Sequence, residues 1–188
     1  CAQAKAWQDA GHGPLRVAVN LSPRQFSEPN LLASIAQVLE QTGLPPSCLD
    51  IELTEGLFMH DVALAVELLH KLKALGLALS IDDFGTGYSS FSYLRKFPID
   101  VLKIDRSFVS DIGADDEAAI VVSIIALAHN LKLRVIAEGV ESEVQLDYLR
   151  RNGCDEIQGY YFSQPVPVAA FEQMLVEGKQ LLATPATL

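Results

Sequence analysis

Histidine, cysteine, basic residues and long apolar runs are all scarce in this chain of 188 residues, and each scarcity excludes a class of protein. Cys1, Cys48 and Cys154 are an odd number at wide spacing, with no Cys-x-x-Cys pair, so neither a disulfide framework nor a structural zinc site is expected. A reducing, cytoplasmic setting follows as the expectation. His12, His60, His70 and His129 never form His-x-His or His-Glu-x-x-His, so each is expected to be structural or solvent-facing. Fourteen Lys and Arg against 24 Asp and Glu leave a net charge of −10, which argues against DNA or RNA as a partner. No apolar stretch approaches the roughly 18–20 residues that cross a bilayer, and the N-terminus lacks a basic-then-apolar signal pattern. The chain is expected to be soluble.

What is present is a regular alternation. Hydrophobic residues make up 49% of the sequence, enough for one globular domain spanning residues 1–188. Short β-rich runs at about 15–21, 49–53, 77–81, 101–104, 134–137 and 155–157 alternate with helical patterns. In one of these, Val62, Ala65, Val66, Leu69 and Leu72 share a face, with Glu67 and Lys71 paired on the other. Gly43 before Pro45-Pro46, Gly76 and Asn152-Gly153 stand where the helices should stop. Repeated βα units imply a parallel sheet, either doubly wound or a TIM-type (β/α)₈ barrel.

Polar residues at the strand ends favour the barrel. Asn20, Glu52 and Glu55, Asp82 and Asp83, Lys103 and Asp105, Glu138 and Gln158 each close a strand. An open sheet binds ligands mainly at one switch point, whereas all strand ends of a barrel converge on one mouth. Six units are counted where a closed barrel needs eight. The opening residues 2–7 read as the middle or end of a helix, with 11–14 as its exit loop, so about two strands are expected to be missing from the front. Such a barrel exposes two sheet edges. Carboxylates, an asparagine, a glutamine and one lysine at a mouth suit Mg²⁺, Mn²⁺ or Ca²⁺ rather than zinc.

Six motifs then carry a resemblance: VNLSPRQF (19–26), ELTE (52–55), DDFGTGYSS (82–90), LKID (102–105), AEGVE (137–141) and QGYYFSQP (158–165). In this order and spacing the chain resembles the EAL domain, a bacterial cyclic di-GMP phosphodiesterase. The resemblance implies that Asn20, Glu52, Asp82, Asp83 and Glu138 hold a pair of Mg²⁺ or Mn²⁺ ions. It implies that Lys103 stands near the attacking water, that Gln158 belongs to the site, and that Glu55 anchors the DFGTG loop. Lys103, Glu138, Glu55 and Gln158 are thus the expected catalytic group, with Asp105, Glu141 and Gln158 on the substrate side. The implied reaction is metal-dependent opening of cyclic di-GMP to linear pGpG.

A dianionic substrate approaching an acidic protein needs divalent cations to invert the local potential and to activate a water. Lys103 adds a cationic donor for the transition state. The Glu-Ala-Leu motif that names the family does not occur in the sequence. The chain is therefore expected to be an EAL-type domain without its N-terminal portion, short of one glutamate ligand and inactive or weakly active alone. Homodimers, upstream sensor, receiver or diguanylate cyclase-like domains, and a membrane tether through such domains are further implications of the resemblance.

Other readings compete. Glu52 and Glu55 could cap a following helix near Thr54 and Asp61, Asn20 could be a turn former before Ser22-Pro23, and Lys103 could face solvent. Asp115-Asp116-Glu117 reads as helix capping, and Phe91, Tyr93 and Phe97 as packing; Tyr160, Tyr161 and Phe162 fit either role. A non-catalytic cyclic di-GMP receptor and an unrelated Mg²⁺-dependent barrel enzyme are the rival functions. In SIDDFGTGYSS (80–90) two adjacent acids cannot both face the mouth of a regular strand, so the strand is expected to break at Asp82-Asp83.

Overall fold

Among the described residues six strands run parallel in one sheet whose spatial order is the chain order: β1 (Val17–Asn20), β2 (Leu49–Thr54), β3 (Ala78–Phe84), β4 (Val101–Ile104), β5 (Arg134–Glu138) and β6 (Glu156–Gln158). An order that never reverses has no switch point of the doubly wound kind, so the sheet is an open (β/α) barrel of six units. The computed structural model describes residues 1–58, 62–87, 94–113, 118–179 and 181. His60, Asp61, Tyr88, Ser89, Ser90, Phe91, Tyr93 and Asp115-Asp116-Glu117, all singled out in the sequence, lie outside the described residues.

The α-helices whose bounds lie among the described residues are α1 (Ala2–Asp9), α2 (Pro23–Phe26), α3 (Leu31–Thr42), α4 (Val62–Ala74), α5 (Arg106–Ser110), α6 (Ala119–Asn130), α7 (Glu143–Arg151) and α8 (Val168–Glu177). Local chemistry sets their ends. Gly43 closes α3 in the left-handed conformation, at φ 67°. Ser142 and Gln145 form a capping box at the start of α7. Helical spacing buries Ala65, Leu69 and Leu72 on α4, and Val121, Ile124, Ile125 and Ala128 on α6. The expected Glu67–Lys71 pair forms at 2.7 Å.

Strand alternation then divides the sheet into two chemical faces. Leu49, Ile51, Leu53, Leu79, Ile81, Leu102, Ile104, Val135 and Ala137 join the buried helix residues in one core. Each fully buried leucine there contributes about 1.5–3 kcal/mol. The residues between them, Asp50, Glu52, Ser80, Asp82 and Lys103, are buried too but polar, and they face the barrel interior. In-register pairing sets Asn20 beside Glu52, Glu52 beside Ser80 and Glu138 beside Gln158, so polar residues of neighbouring strands stand side by side.

The edges lie at β1 and β6, which pair on one side only among the described residues. Across them Trp7 of α1 packs on Phe171 of α8, ring centres 4.7 Å apart, and its indole N–H donates to Glu172 at 3.0 Å. Among the described residues no helix is long and apolar enough to cross a membrane.

Three sequence expectations need correction. The first strand is shorter than 15–21, because Leu15 and Arg16 precede the ladder that opens at the Val17–Leu49 pair. The last begins at Glu156, since Asp155 turns its carboxylate back to the Val135 N–H. The third does not break at Asp82-Asp83 but continues to Phe84 through a bulge.

Candidate functional site

That bulge organises the mouth of the barrel. Between the pairs Ile81–Leu102 and Phe84–Ile104, β3 advances three residues while β4 advances two. One extra residue is accommodated when Asp83 adopts φ 54°, a left-handed conformation that non-glycine residues enter at a cost of about 1–2 kcal/mol. The result overrides strict alternation. Asp82, Asp83 and Glu138 each place a carboxylate oxygen within 4.8 Å of the other two.

Lys103 rises beside them from the centre of β4. Its ammonium lies 2.6 Å from Glu52, 2.6 Å from Glu138 and 3.0 Å from Asp82, with a side chain only 3% exposed. Burial alone would lower its pKa, but the ion pairs with Glu138, Glu52 and Asp82 prevail and hold it charged well above the ordinary lysine range. Solvent-facing placement of Lys103 is thereby excluded. Burial pushes the Glu138 carboxyl upward, reinforced by Asp82 and Glu52 and opposed by Lys103. Burial also raises Asp83, with the charges of Asp82 and Asp105 adding to it. One lysine cannot neutralise four neighbouring carboxylates.

The group suits a hard divalent cation. Its donors are all oxygens. Asp82 Oδ1 is buried and, although 3.0 Å from Lys103 Nζ, lies off the direction of a hydrogen bond, which leaves it without one among the described residues. A buried carboxylate oxygen in that condition is a ready ligand. Asn20, exposed at the end of β1, aligns beside Glu52 in the strand register.

Glu55 lies apart from this cluster and touches the loop after β3. Its Oε2 accepts the Gly85 N–H at 3.2 Å, and a β-carbon at Gly87 would come within 2.9 Å of its Oε1. The Thr86 hydroxyl donates to the Asp83 carbonyl at 2.9 Å and so tightens the turn that follows the bulge. The helix-capping reading of Glu55 fits less well than this loop contact.

Asp83, Asp105, Glu138, Glu141 and Gln158 line one cleft of about 660 Å³, which continues toward Tyr160, Phe162, Phe171 and Met174. Asp105 caps α5 by accepting the Ser107 N–H at 2.9 Å. Burial works against its ionisation, but the Ser107 hydroxyl and N–H outweigh it and hold the carboxyl below the usual range. The cleft walls are tightly stacked: a β-carbon at Gly159 would fall 2.2 Å from the Val140 carbonyl oxygen. One layer below, buried Asp50 accepts the Ser80 hydroxyl at 2.8 Å, and burial raises its pKa.

Two members of this surroundings were not singled out in the sequence, Arg106 in the cleft wall and Asp50 beneath the site. Arg106 carried a signal, since it directly follows the strand-end acid Asp105. Asp50 carried a weaker one, an acid among the apolar residues that open β2.

Comparison with known proteins agrees with this geometry. The EAL domain model matches residues 1–165. Over 176 residues the chain is 47% identical to cyclic di-GMP phosphodiesterase NbdA of Pseudomonas aeruginosa, covering 93% of this chain and 22% of NbdA. The structure of the MucR phosphodiesterase of Pseudomonas aeruginosa in complex with cyclic di-GMP is similar at a TM-score of 0.88 and 44% identity, covering 91% of this chain and 70% of that one. The EAL domain of Mycobacterium smegmatis DcpA gives a TM-score of 0.91 at 36% identity, covering 96% and 82%. The chain spans about a quarter or less of the length of the curated relatives it matches. Matched by sequence over most of its length and by an open six-stranded barrel with acids at its mouth, the chain belongs to the EAL domain family.

Proposed function

We propose that this domain hydrolyses cyclic di-GMP to linear pGpG with the aid of two divalent cations, Mg²⁺ or Mn²⁺. The observation that carries the reading is the convergence of Asp82, Asp83 and Glu138 within 4.8 Å beside buried Lys103, in a chain of the EAL family. Relatives named cyclic di-GMP phosphodiesterase, among them NbdA and Escherichia coli PdeR, support the same substrate.

Asp82, Asp83 and Glu138, with Glu52 and Asn20 beside them, would hold the cations. The cations supply charge neutralisation and a water acidic enough to attack near neutral pH. Water forms the new P–O bond while the bond from phosphorus to the ribose 3′ oxygen breaks, and that oxygen ends protonated; the 5′ phosphate of pGpG remains. Lys103, held charged by its carboxylates, donates to the attacking water or to a phosphoryl oxygen and offsets charge that grows in the transition state. Gln158 and Glu141, on the cleft wall, orient the substrate by hydrogen bonds. Glu55 keeps the loop after Asp83 in place through the Gly85 N–H.

Given the fraction of its relatives that the chain spans, the domain works beside others in a signalling protein, as MucR, named a bifunctional diguanylate cyclase and phosphodiesterase, exemplifies. The open edges of β1 and β6 make self-association as a homodimer part of the same reading. The test is incubation of the full-length gene product with cyclic di-GMP and Mn²⁺ or Mg²⁺, followed by chromatography. Appearance of pGpG, abolished by EDTA, is the expected result; tight binding of cyclic di-GMP with no product would establish a receptor instead.

A further inference from the structure

We infer that Arg106 binds the phosphodiester of cyclic di-GMP that is not being cut. This rests on the functional reading above and extends it to a residue that reading leaves unused. Arg106 is the first residue of α5, directly after Asp105, and among the described residues lining the cleft it alone carries a positive charge. Its surroundings are acidic: Asp83, Asp105, Glu138 and Glu141 line the same space. Yet those acids do not engage it. Glu138 is committed to Lys103 and Asp105 to Ser107, and among the described residues the exposed Arg106 guanidinium makes no hydrogen bond or ion pair.

Its position is fixed from the neighbouring strand. A β-carbon at Gly139, which sits at φ 70°, would lie 2.5 Å from the Arg106 β-carbon. Only a glycine at the end of β5 lets the arginine stem cross there. The close approach sets the stem against the same strand end that carries Glu138, in the cleft wall that Asp83, Asp105 and Glu138 also line.

A cyclic dinucleotide brings two phosphates. The carboxylate cluster with its cations and Lys103 serves one, and the other enters a cleft whose remaining charges are carboxylates. Left uncompensated, that second anion would be repelled. A planar guanidinium with free N–H groups is the side chain best shaped to receive it, by two parallel hydrogen bonds.

The experiment compares two substrates of the Mn²⁺-loaded full-length gene product: cyclic di-GMP, and bis(4-nitrophenyl) phosphate, which has a single phosphodiester. Hydrogen bonds to charged groups contribute about 1.5–3 kcal/mol, so Arg106→Ala should raise the KM for cyclic di-GMP roughly 10- to 100-fold. Because the contact is remote from the reacting bond, kcat should change little, and the ratio of kcat/KM for the two substrates should fall about tenfold or more. Arg106→Lys, which keeps a point charge but loses the second parallel hydrogen bond, should recover only part of the loss. Equal losses on both substrates, an unchanged ratio, or an Arg106→Lys variant no better than Arg106→Ala would overturn the assignment, the last by pointing to a guanine edge instead. A wild-type protein that cleaves bis(4-nitrophenyl) phosphate but neither binds nor cleaves cyclic di-GMP would overturn the functional reading itself.

Discussion

Replacing Lys103 with methionine keeps most of the stem and deletes the charge that faces Glu52, Glu138 and Asp82 at 2.6, 2.6 and 3.0 Å. With that side chain 3% exposed, water cannot take the place of the ammonium. Removing one partner of a buried ion pair costs about 3–5 kcal/mol. A domain of this size loses about 2–4 °C in Tm for each kcal/mol, so the metal-free variant should melt roughly 10 °C below wild type at pH 8. The pH dependence follows from Glu138, whose folded pKa burial already raises. A carboxylate with a raised folded pKa binds more protons when folded, so stability is fully present below its unfolded value of about 4.3 and is lost as pH rises through the folded one. Without Lys103 that raised value climbs further, and the deficit should be small near pH 4 and full at pH 8. Mn²⁺ at a hundredfold excess over its Kd adds about 2.7 kcal/mol, and the variant, with no lysine competing for the carboxylates, should gain at least as much as wild type. Melting followed by circular dichroism at both pH values, in EDTA and in Mn²⁺, reads all of this. A variant within about 2 °C of wild type at pH 8 in EDTA would refute the placement of Lys103 among ionised carboxylates.

Asp83→Asn should raise the Tm of the metal-free protein at pH 8, because the Asp83 carboxylate faces Asp82 and Asp105, and should weaken Mn²⁺ binding at least tenfold by calorimetry; weaker stability with intact binding would count against the cluster as a metal site. Gly159→Ala drives a β-carbon into the Val140 carbonyl and should cost about 1–3 kcal/mol in urea denaturation, whereas Gly178→Ala, where a β-carbon meets nothing, should show only the backbone penalty of its left-handed φ. Asp155 accepts the Val135 N–H at 2.8 Å and bonds His129 at 3.0 Å, and although burial opposes it, these contacts lower its carboxyl pKa. Its contribution is present above the unfolded value of about 3.9 and is lost as pH falls through the lower folded value. Asp155→Ala should therefore show a shallower loss of urea midpoint below about pH 4 than wild type does.

Much of the fold was legible because polarity alternates along these strands and ends on a polar residue at the same edge. Leu102, Lys103 and Ile104 show why: two residues must face the core, so the third must face the barrel interior. The β3 boundary was not legible, since a bulge is a property of two paired strands and Asp83 shows no sign in sequence of its left-handed φ. The candidate site was legible through its motifs, which name Lys103, Asp82, Asp83 and Glu138, side chains that the fold brings together; the close packing that aims them was not. Gly139 under Arg106 and Gly159 against Val140 are contacts between loops that only the assembled barrel brings together. Trp7 and Glu172, 165 positions apart, lie beyond any local pattern.

On the proposed function, the carboxylates around Lys103 form a divalent metal centre. Anomalous scattering from a Mn²⁺-soaked crystal of the full-length gene product tests it most directly. Manganese peaks are expected at coordination distance, about 2.0–2.6 Å, from oxygens of Asp82, Asp83 and Glu138. Crystals that show no peak there at saturating Mn²⁺, or peaks only elsewhere on the surface, would contradict it.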